Sequence, residues 1–179
     1  MRRRILSSLC LIAVILAGCT ALVGREPSVP PTFTPEPTST SAQLGVSTGG
    51  LPDAAGLLDG VCFEYLYGLG GATLVWNTAD EQRAFYDAAD ASGVCASPAA
   101  RPAFDFSAQI VAGTVSAIAG CDAAHHLVAL EHDDAARRVT LRLALEVRAG
   151  CPYELVEPFL VALPRPPAGY AVEVAVSGR

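Results

Sequence analysis

Apolar and polar residues alternate along much of the second half of the chain. Apolar side chains occupy every second position from Val139 to Val147, and the pattern returns from Val172 to Val176. A period of two is typical of a strand that buries one face. Three more apolar runs, at 107–118, 125–132 and 159–163, also favour strands. The second half of the chain is therefore predicted to form a sheet of about five strands.

Short polar or glycine-rich stretches mark the turns of the predicted sheet. Gly120-Cys121-Asp122 separates the first two runs and predicts a hairpin, and Asp133 to Ala136 predicts the next turn. Nearer the start of the domain, 61–67 and 72–76 are predicted strands on either side of the glycine-rich stretch 68–71. Because a strand rather than a helix follows these glycines, a turn is favoured over a phosphate-binding loop.

One segment has helical spacing. Thr78 begins the stretch 78–91, and Glu81 follows three residues later, which is the pattern of a capping box. The predicted apolar face of this helix consists of Ala84, Phe85, Ala88 and Ala89. The order of two strands, one helix and about five strands predicts an α+β domain. It is mostly an antiparallel β-sheet with one early helix.

The chain begins with a predicted lipoprotein signal peptide at residues 1–18. Arg2 to Arg4 precede an apolar run from Ile5 to Leu16, which is shorter than the roughly 20 residues that cross a bilayer. Leu16-Ala17-Gly18-Cys19 resembles the lipobox of bacterial lipoproteins. The resemblance implies that Cys19 becomes the first mature residue and carries a diacylglycerol thioether. The lipid bilayer is then one partner, and the protein is anchored to the membrane of the cell envelope on its extracytoplasmic side.

A stretch rich in Pro, Thr and Ser follows the predicted anchor. Residues 25–50 contain few side chains that a core could bury, and such a composition cannot offset the entropy of ordering the chain. The lipidated cysteine and a disordered linker are therefore predicted at 19–56. The remaining residues, 57–179, have the length of one domain.

Four cysteines remain for the predicted mature domain: Cys62, Cys95, Cys121 and Cys151. An even number in an exported chain predicts two disulfides, for which three connectivities exist. The favoured pairing is Cys62 with Cys95 and Cys121 with Cys151, each closing a loop of about 30 residues. Because no CxxC pair occurs, neither a structural zinc ion nor another cofactor is predicted.

The charge of the mature chain is negative. The sequence has no lysine, and after signal cleavage nine arginines stand against 18 acidic residues. This balance disfavours nucleic acid as a partner and disfavours an electrostatic hold on anionic lipid.

The order of motifs in 73–176 resembles the C-terminal domain family of the protease-associated lipoprotein PrcB. The matching stretches are Trp76 with the helix after it, Asp105-Phe106-Ser107 at a strand start, and Pro158 to Arg165 near the end. Where that family has a glycine-rich turn, this chain has 119–126, which includes Cys121. The resemblance implies a non-catalytic lipoprotein that associates with or stabilises another exported protein.

His125, His126 and His132 are the only histidines. In a regular strand His126 and His132 would share one face and His125 would point the other way. A metal or solute site on the hairpin from His125 to His132 is an alternative function. A polar hairpin face is favoured, so no metal site is predicted.

The predicted function is that of a non-catalytic module that binds, assembles with or stabilises a protein of unknown identity. No GxSxG, HExxH or P-loop pattern occurs, and the protein is predicted not to be an enzyme. A hydrolase of unrecognised type stays an alternative, because catalytic triads need not be local in sequence. Phe63, Tyr65 and Tyr67 form either part of the core on one strand face or an exposed binding patch.

Overall fold

The computed structural model describes residues 46–178, so the predicted signal peptide and Cys19 lie outside the described part. The elements in chain order are a 3₁₀ helix at Ala55–Leu58, α1 at Phe63–Gly68, β1 at Thr73–Trp76, α2 at Ala79–Ser92, β2 at Gln109–Ala119, β3 at Asp122–Asp133, β4 at Arg138–Arg148, β5 at Glu154–Pro164 and β6 at Ala171–Gly178. The predicted α+β class, mostly β with one substantial helix, is confirmed.

The strands form two three-stranded sheets rather than one. Their orders are β1-β2-β5 and β3-β4-β6, and all pairs are antiparallel except the parallel pair of β4 with β6. The predicted hairpin at Gly120-Cys121-Asp122 is therefore wrong, because β2 and β3 belong to different sheets. The predicted turn after Asp133 does join a hairpin, that of β3 with β4.

The first sheet is covered on both faces. One face, with Ile110 and Phe159, packs against Leu141 and Leu143 of the second sheet. The opposite face, with Val111, belongs to a second cluster that contains residues of α1, α2 and the 3₁₀ helix. Burial on both sides explains why β2 is almost continuously apolar instead of alternating.

The capping box predicted for α2 is present. Thr78 Oγ1 accepts a hydrogen bond from the backbone N–H of Glu81, whose carboxylate accepts one from the N–H of Thr78. The predicted apolar face is partly wrong. The buried residues of α2 are Gln82, Tyr86 and Ala89, whereas Ala84 and Ala88 are exposed. Tyr86 anchors the helix, because its hydroxyl donates to the carbonyl of Leu57 over 2.7 Å.

The segment predicted as the strand 61–67 is instead the helix α1. Phe63, Tyr65 and Tyr67 recur with a period of two, but in a helix Phe63 and Tyr67 are neighbours at i and i+4. Their rings stack with centroids 5.7 Å apart. Tyr65 points elsewhere and meets the ring of Phe85 edge-on.

Part of the predicted linker belongs to the folded unit. The N–H of Ser47 donates to the carbonyl of His125, and the carbonyl of Ser47 accepts from the N–H of Leu127 at the edge of β3. Farther along, Asp53 forms a bridge with Val161 at the edge of β5. Residues 46–54 thus contact one edge of each sheet, and the fold begins before the predicted boundary at residue 57.

Two disulfides join Cys62 to Cys95 and Cys121 to Cys151, the pairing that the sequence favours. The second bond links the β2–β3 connection to the β4–β5 connection, and both of these chains cross from one sheet to the other at the same end. The disulfides indicate an oxidising, extracytoplasmic environment. Within residues 46–178, the structure contains no helix of the length and apolarity needed to span a membrane.

Candidate functional site

His125 and His126 point to opposite faces of β3, as predicted, but His132 lies on the face of His125 rather than on that of His126. The register of β3 against β4 shifts between Leu127 and Ala129, which reverses the alternation beyond Val128. His125 and His132 are opposite Leu145 and Val139 on the inward face, and His126 is opposite Ala144 on the outward one. Within residues 46–178 no group of three or more His, Cys, Asp or Glu is arranged to hold a metal ion.

His125 forms a buried polar pair with Ser116. Ser116 Oγ lies 3.1 Å from His125 Nε2, and the His125 ring is 5.8 Å from the ring of Phe159. His125 is fully buried, and burial lowers its pKa to about 4, with a smaller contribution from His126. The imidazole is therefore neutral at physiological pH. Its Nδ1 has no hydrogen-bond partner among residues 46–178.

Glu157 adds an acidic group at the same end of the intersheet space. It is the cross-strand neighbour of Ser116, so the two side chains share one face. Burial raises the pKa of Glu157 to about 7, with a further contribution from the charge of Asp122. Asp122 in turn forms an ion pair of 3.2 Å with Arg148.

The types of these side chains match a nucleophile, a base and an acid, but their placement does not suit catalysis. Ser116 is only 8% exposed and His125 is not exposed at all. A substrate would have to separate the two sheets to reach the serine hydroxyl. In addition, a base with a pKa of about 4 accepts a proton poorly at neutral pH. The geometry fits a polar contact between the sheets.

Among residues 46–178, the most exposed aromatic residues lie near the start of β5. Phe63 and Tyr67 on α1 are 46% and 40% exposed, and Tyr153 is 60% exposed. The Tyr67 hydroxyl donates to Glu154 Oε1 over 3.3 Å, which joins α1 to the residue after Tyr153. We call these four residues, with the edge of β5 as far as Pro158, the α1–β5 surface.

Half of the β5 edge is unpaired in the described part of the chain. The segment 52–54 covers only the region around Leu160 and Ala162: Ala54 N–H donates to the Leu160 carbonyl, and Ala162 N–H donates to the Pro52 carbonyl. No segment within residues 46–178 pairs with this edge from Glu154 to Pro158.

A groove of about 660 Å³ adjoins this free half of the edge. Val156 and Pro158 form one wall, and Phe63 with the 3₁₀ helix forms the other. Two carboxylates, Asp53 and Asp59, also line the groove, and none of its lining residues is basic. The groove therefore combines apolar walls with negative charge.

Sequence reasoning singled out one part of this surface and missed the others. The aromatic residues of α1 were candidates for a patch, and two of the three are exposed. The free edge of β5 has no sequence signal, except that Pro158 within a strand is typical of an edge. The polar residues Ser116 and Glu157 did interrupt apolar runs, which is a signal that could have marked them as paired.

No family model matches the chain, and neither the curated proteins nor the solved structures contain a significant match. The resemblance to the PrcB family stays a prediction.

Proposed function

We propose that the protein is an exported lipoprotein whose domain is a non-catalytic, protein-binding module. Acylated Cys19 anchors it on the extracytoplasmic side of the membrane, and the domain assembles with or stabilises another exported protein. The observation that carries the proposal is the α1–β5 surface, where stacked and exposed aromatic rings adjoin an unpaired strand edge.

The physical basis is the free energy gained when exposed aromatic rings are covered. Phe and Tyr present large apolar areas at low side-chain entropy, and Tyr keeps a hydroxyl that can hydrogen-bond at the rim. Phe63 is already held against Tyr67, and Tyr67 against Glu154. Binding therefore orders little that is mobile, and most of the gain from desolvation is retained.

The anchor is supported by the apolar run that ends at Leu16-Ala17-Gly18-Cys19. Between Cys19 and the first described residue, Val46, the sequence is rich in Pro, Thr and Ser, a composition typical of a linker. Such a linker lets the domain meet partners near the membrane.

Co-purification from detergent-solubilised native membranes tests the proposal. The double variant Phe63→Ser, Tyr153→Ser removes two rings from the α1–β5 surface. The matched control, Val94→Ser, Val128→Ser, removes two apolar side chains that are 52% and 59% exposed elsewhere. We expect the first variant to recover about tenfold less partner, or even less, while the control recovers as much as wild type. Equal recovery of the partner by both variants would overturn the proposal.

A further inference from the structure

We propose that the α1–β5 surface binds an extended peptide segment that carries basic side chains and pairs as an additional strand with the edge from Glu154 to Pro158. This rests on the protein-binding role proposed above, and it specifies the form and the charge of what is bound.

The backbone of β5 presents the required hydrogen-bonding groups. In an antiparallel ladder, alternate residues direct their N–H and C=O groups to opposite sides of the strand. Leu160 and Ala162 bond outward to the segment 52–54, so Pro158, Val156 and Glu154 also face outward. The partner strand agrees: Val115, which is opposite Pro158, bonds away from β5 to Gly71 and Ala72.

The chain itself already uses this edge. Residues 52–54 occupy the position of an additional strand, with two hydrogen bonds of 2.9 Å each, and then leave the edge at Ala55 to form the 3₁₀ helix. The outward N–H and C=O groups from Glu154 to Pro158 continue the row of hydrogen-bonding groups that residues 52–54 use. A strand from another molecule would therefore extend a pairing that the fold has begun.

The available groups limit the length of the bound strand. Glu154 and Val156 each offer one donor and one acceptor, and Pro158 offers an acceptor only, because proline lacks an N–H. These groups suit a strand of about five residues, which spans about 16 Å. Because Pro158 interrupts the outward N–H donors of β5, it also limits non-specific strand pairing along this edge.

The charge of the groove selects the side chains of the bound segment. Asp53 and Asp59 line the groove, and no basic residue does. Glu154 lies two residues before the lining residue Val156 on β5. Alternate side chains of an added strand point toward the groove. Arginine or lysine at such positions would pair with these carboxylates, and the net negative charge of the mature chain would speed the encounter.

Synthetic peptides test the proposal on the full mature chain with Cys19→Ser, which needs no membrane. The probes are four acetylated and amidated peptides of the form Xaa-Arg-Xaa-Arg-Xaa, with Xaa as Val, Ile, Phe or Tyr. We expect at least one to bind with a Kd below about 1 mM, and the amide exchange of Val156 and Glu154 to slow on binding. The matching Xaa-Glu-Xaa-Glu-Xaa peptides should not bind.

N-methylation distinguishes strand pairing from simple contact of side chains. In a bound strand only alternate amides face β5. Methylating one alternate set should abolish binding, and methylating the other set should leave it within about threefold. Equal effects of the two sets, or no binding by any of the four basic peptides, would overturn the proposal.

Variants of the edge complete the test. Val156→Pro removes an outward donor, and we expect it to bind the peptide about tenfold more weakly than Val156→Ala, which truncates the same groove side chain but keeps the donor. Asp59→Asn should weaken binding of the basic peptides, whereas Glu146→Gln on the other sheet should leave that binding unchanged. If Val156→Pro keeps the native partner that Phe63→Ser, Tyr153→Ser loses, strand pairing is wrong but protein binding stands. If neither variant loses it, both proposals are wrong.

Discussion

Ser116 and His125 connect the two sheets through a polar contact, with Ser116 Oγ 3.1 Å from His125 Nε2. Ser116 lies in β2 and His125 in β3, and Glu157 is the neighbour of Ser116 on β5. The ring of Phe159 packs 5.8 Å from the His125 ring. The contact places two titratable groups where a change in charge acts on the folded state.

The first prediction concerns Glu157. Its pKa is about 7 in the folded protein and 4.5 in its ordinary state, so the folded state resists losing the proton. Stability is therefore lost as the pH rises from about 4.5 to about 7 and stays lower above that. The stability of Glu157→Gln relative to wild type should therefore increase as the pH rises through this interval. At pH 8 the variant should be more stable than wild type by about 1–2 kcal/mol, once solvent screening is allowed for.

Urea denaturation of wild type and variant from pH 4 to 8 measures this difference. Glu154→Gln, three residues earlier on the same strand at an exposed position, is the control, and it should change stability at pH 8 less than Glu157→Gln does. A difference between Glu157→Gln and wild type that does not grow with pH would contradict the assignment.

The second prediction concerns His125. Its pKa is lowered from 6.5 to about 4 by burial, so the unfolded chain binds the proton first. The stability that the neutral His125 side chain allows is fully present above about pH 6.5 and is lost as the pH falls toward 4. In wild type the opposite trend of Glu157 offsets it. In the Glu157→Gln background, the urea midpoint should fall clearly from pH 6.5 to 4, and a flat profile would show that His125 is solvated.

The third prediction concerns the close approach of β2 and β5. A Cβ added at Gly113 would lie 1.8 Å from the Phe159 carbonyl oxygen and 2.8 Å from the Leu160 side chain. Because the carbonyl is part of the β5 backbone, it cannot move without disturbing the pairing of the two strands. Gly113→Ala should destabilise the domain by about 3 kcal/mol or more. Gly68→Ala has open space at the end of α1 and should stay within about 0.5 kcal/mol of wild type. Equal thermal midpoints for the two variants would contradict this packing.

Local patterns made part of the fold predictable. Thr78 and Glu81 are close in sequence, so the capping box could be recognised without tertiary information. The alternation in β4 reports one buried face directly. By contrast, the spacing of Phe63 and Tyr67 fits both a period of two and an i, i+4 helical pair, so this short segment did not distinguish a strand from a helix. In the helix, Tyr65 points away from that pair and contacts Phe85.

The arrangement of strands depended on contacts that the sequence does not encode locally. Residues 107–118 and 125–132 look like a hairpin, yet the chain changes sheets at Cys121. The extra residue at Val128 reverses the face of His132, and no residue type marks that register shift. The candidate site shared this difficulty, because an edge is free only if no distant segment covers it.

The fourth prediction concerns the disulfide between Cys121 and Cys151. It closes a separation of 30 residues across two connections between the sheets. Replacing both cysteines by serine should cost about 3–4 kcal/mol in the chain-entropy model. Calorimetry of the double variant measures the loss. Reduction with a thiol should lower the midpoint of wild type further than that of the variant, which keeps only the bond from Cys62 to Cys95, and equal decreases would contradict this assignment.

The most direct test of the proposed function is site-specific photocrosslinking in native membranes. A benzoylphenylalanine at position 153 reports the α1–β5 surface, and the same residue at position 128 reports the opposite sheet at matched exposure, since Tyr153 and Val128 are 60% and 59% exposed. We predict that position 153 gives one discrete, light-dependent protein adduct, which Phe63→Ser diminishes, and that position 128 does not. Equal adducts at both positions, or none at position 153, would contradict a protein-binding role for this surface.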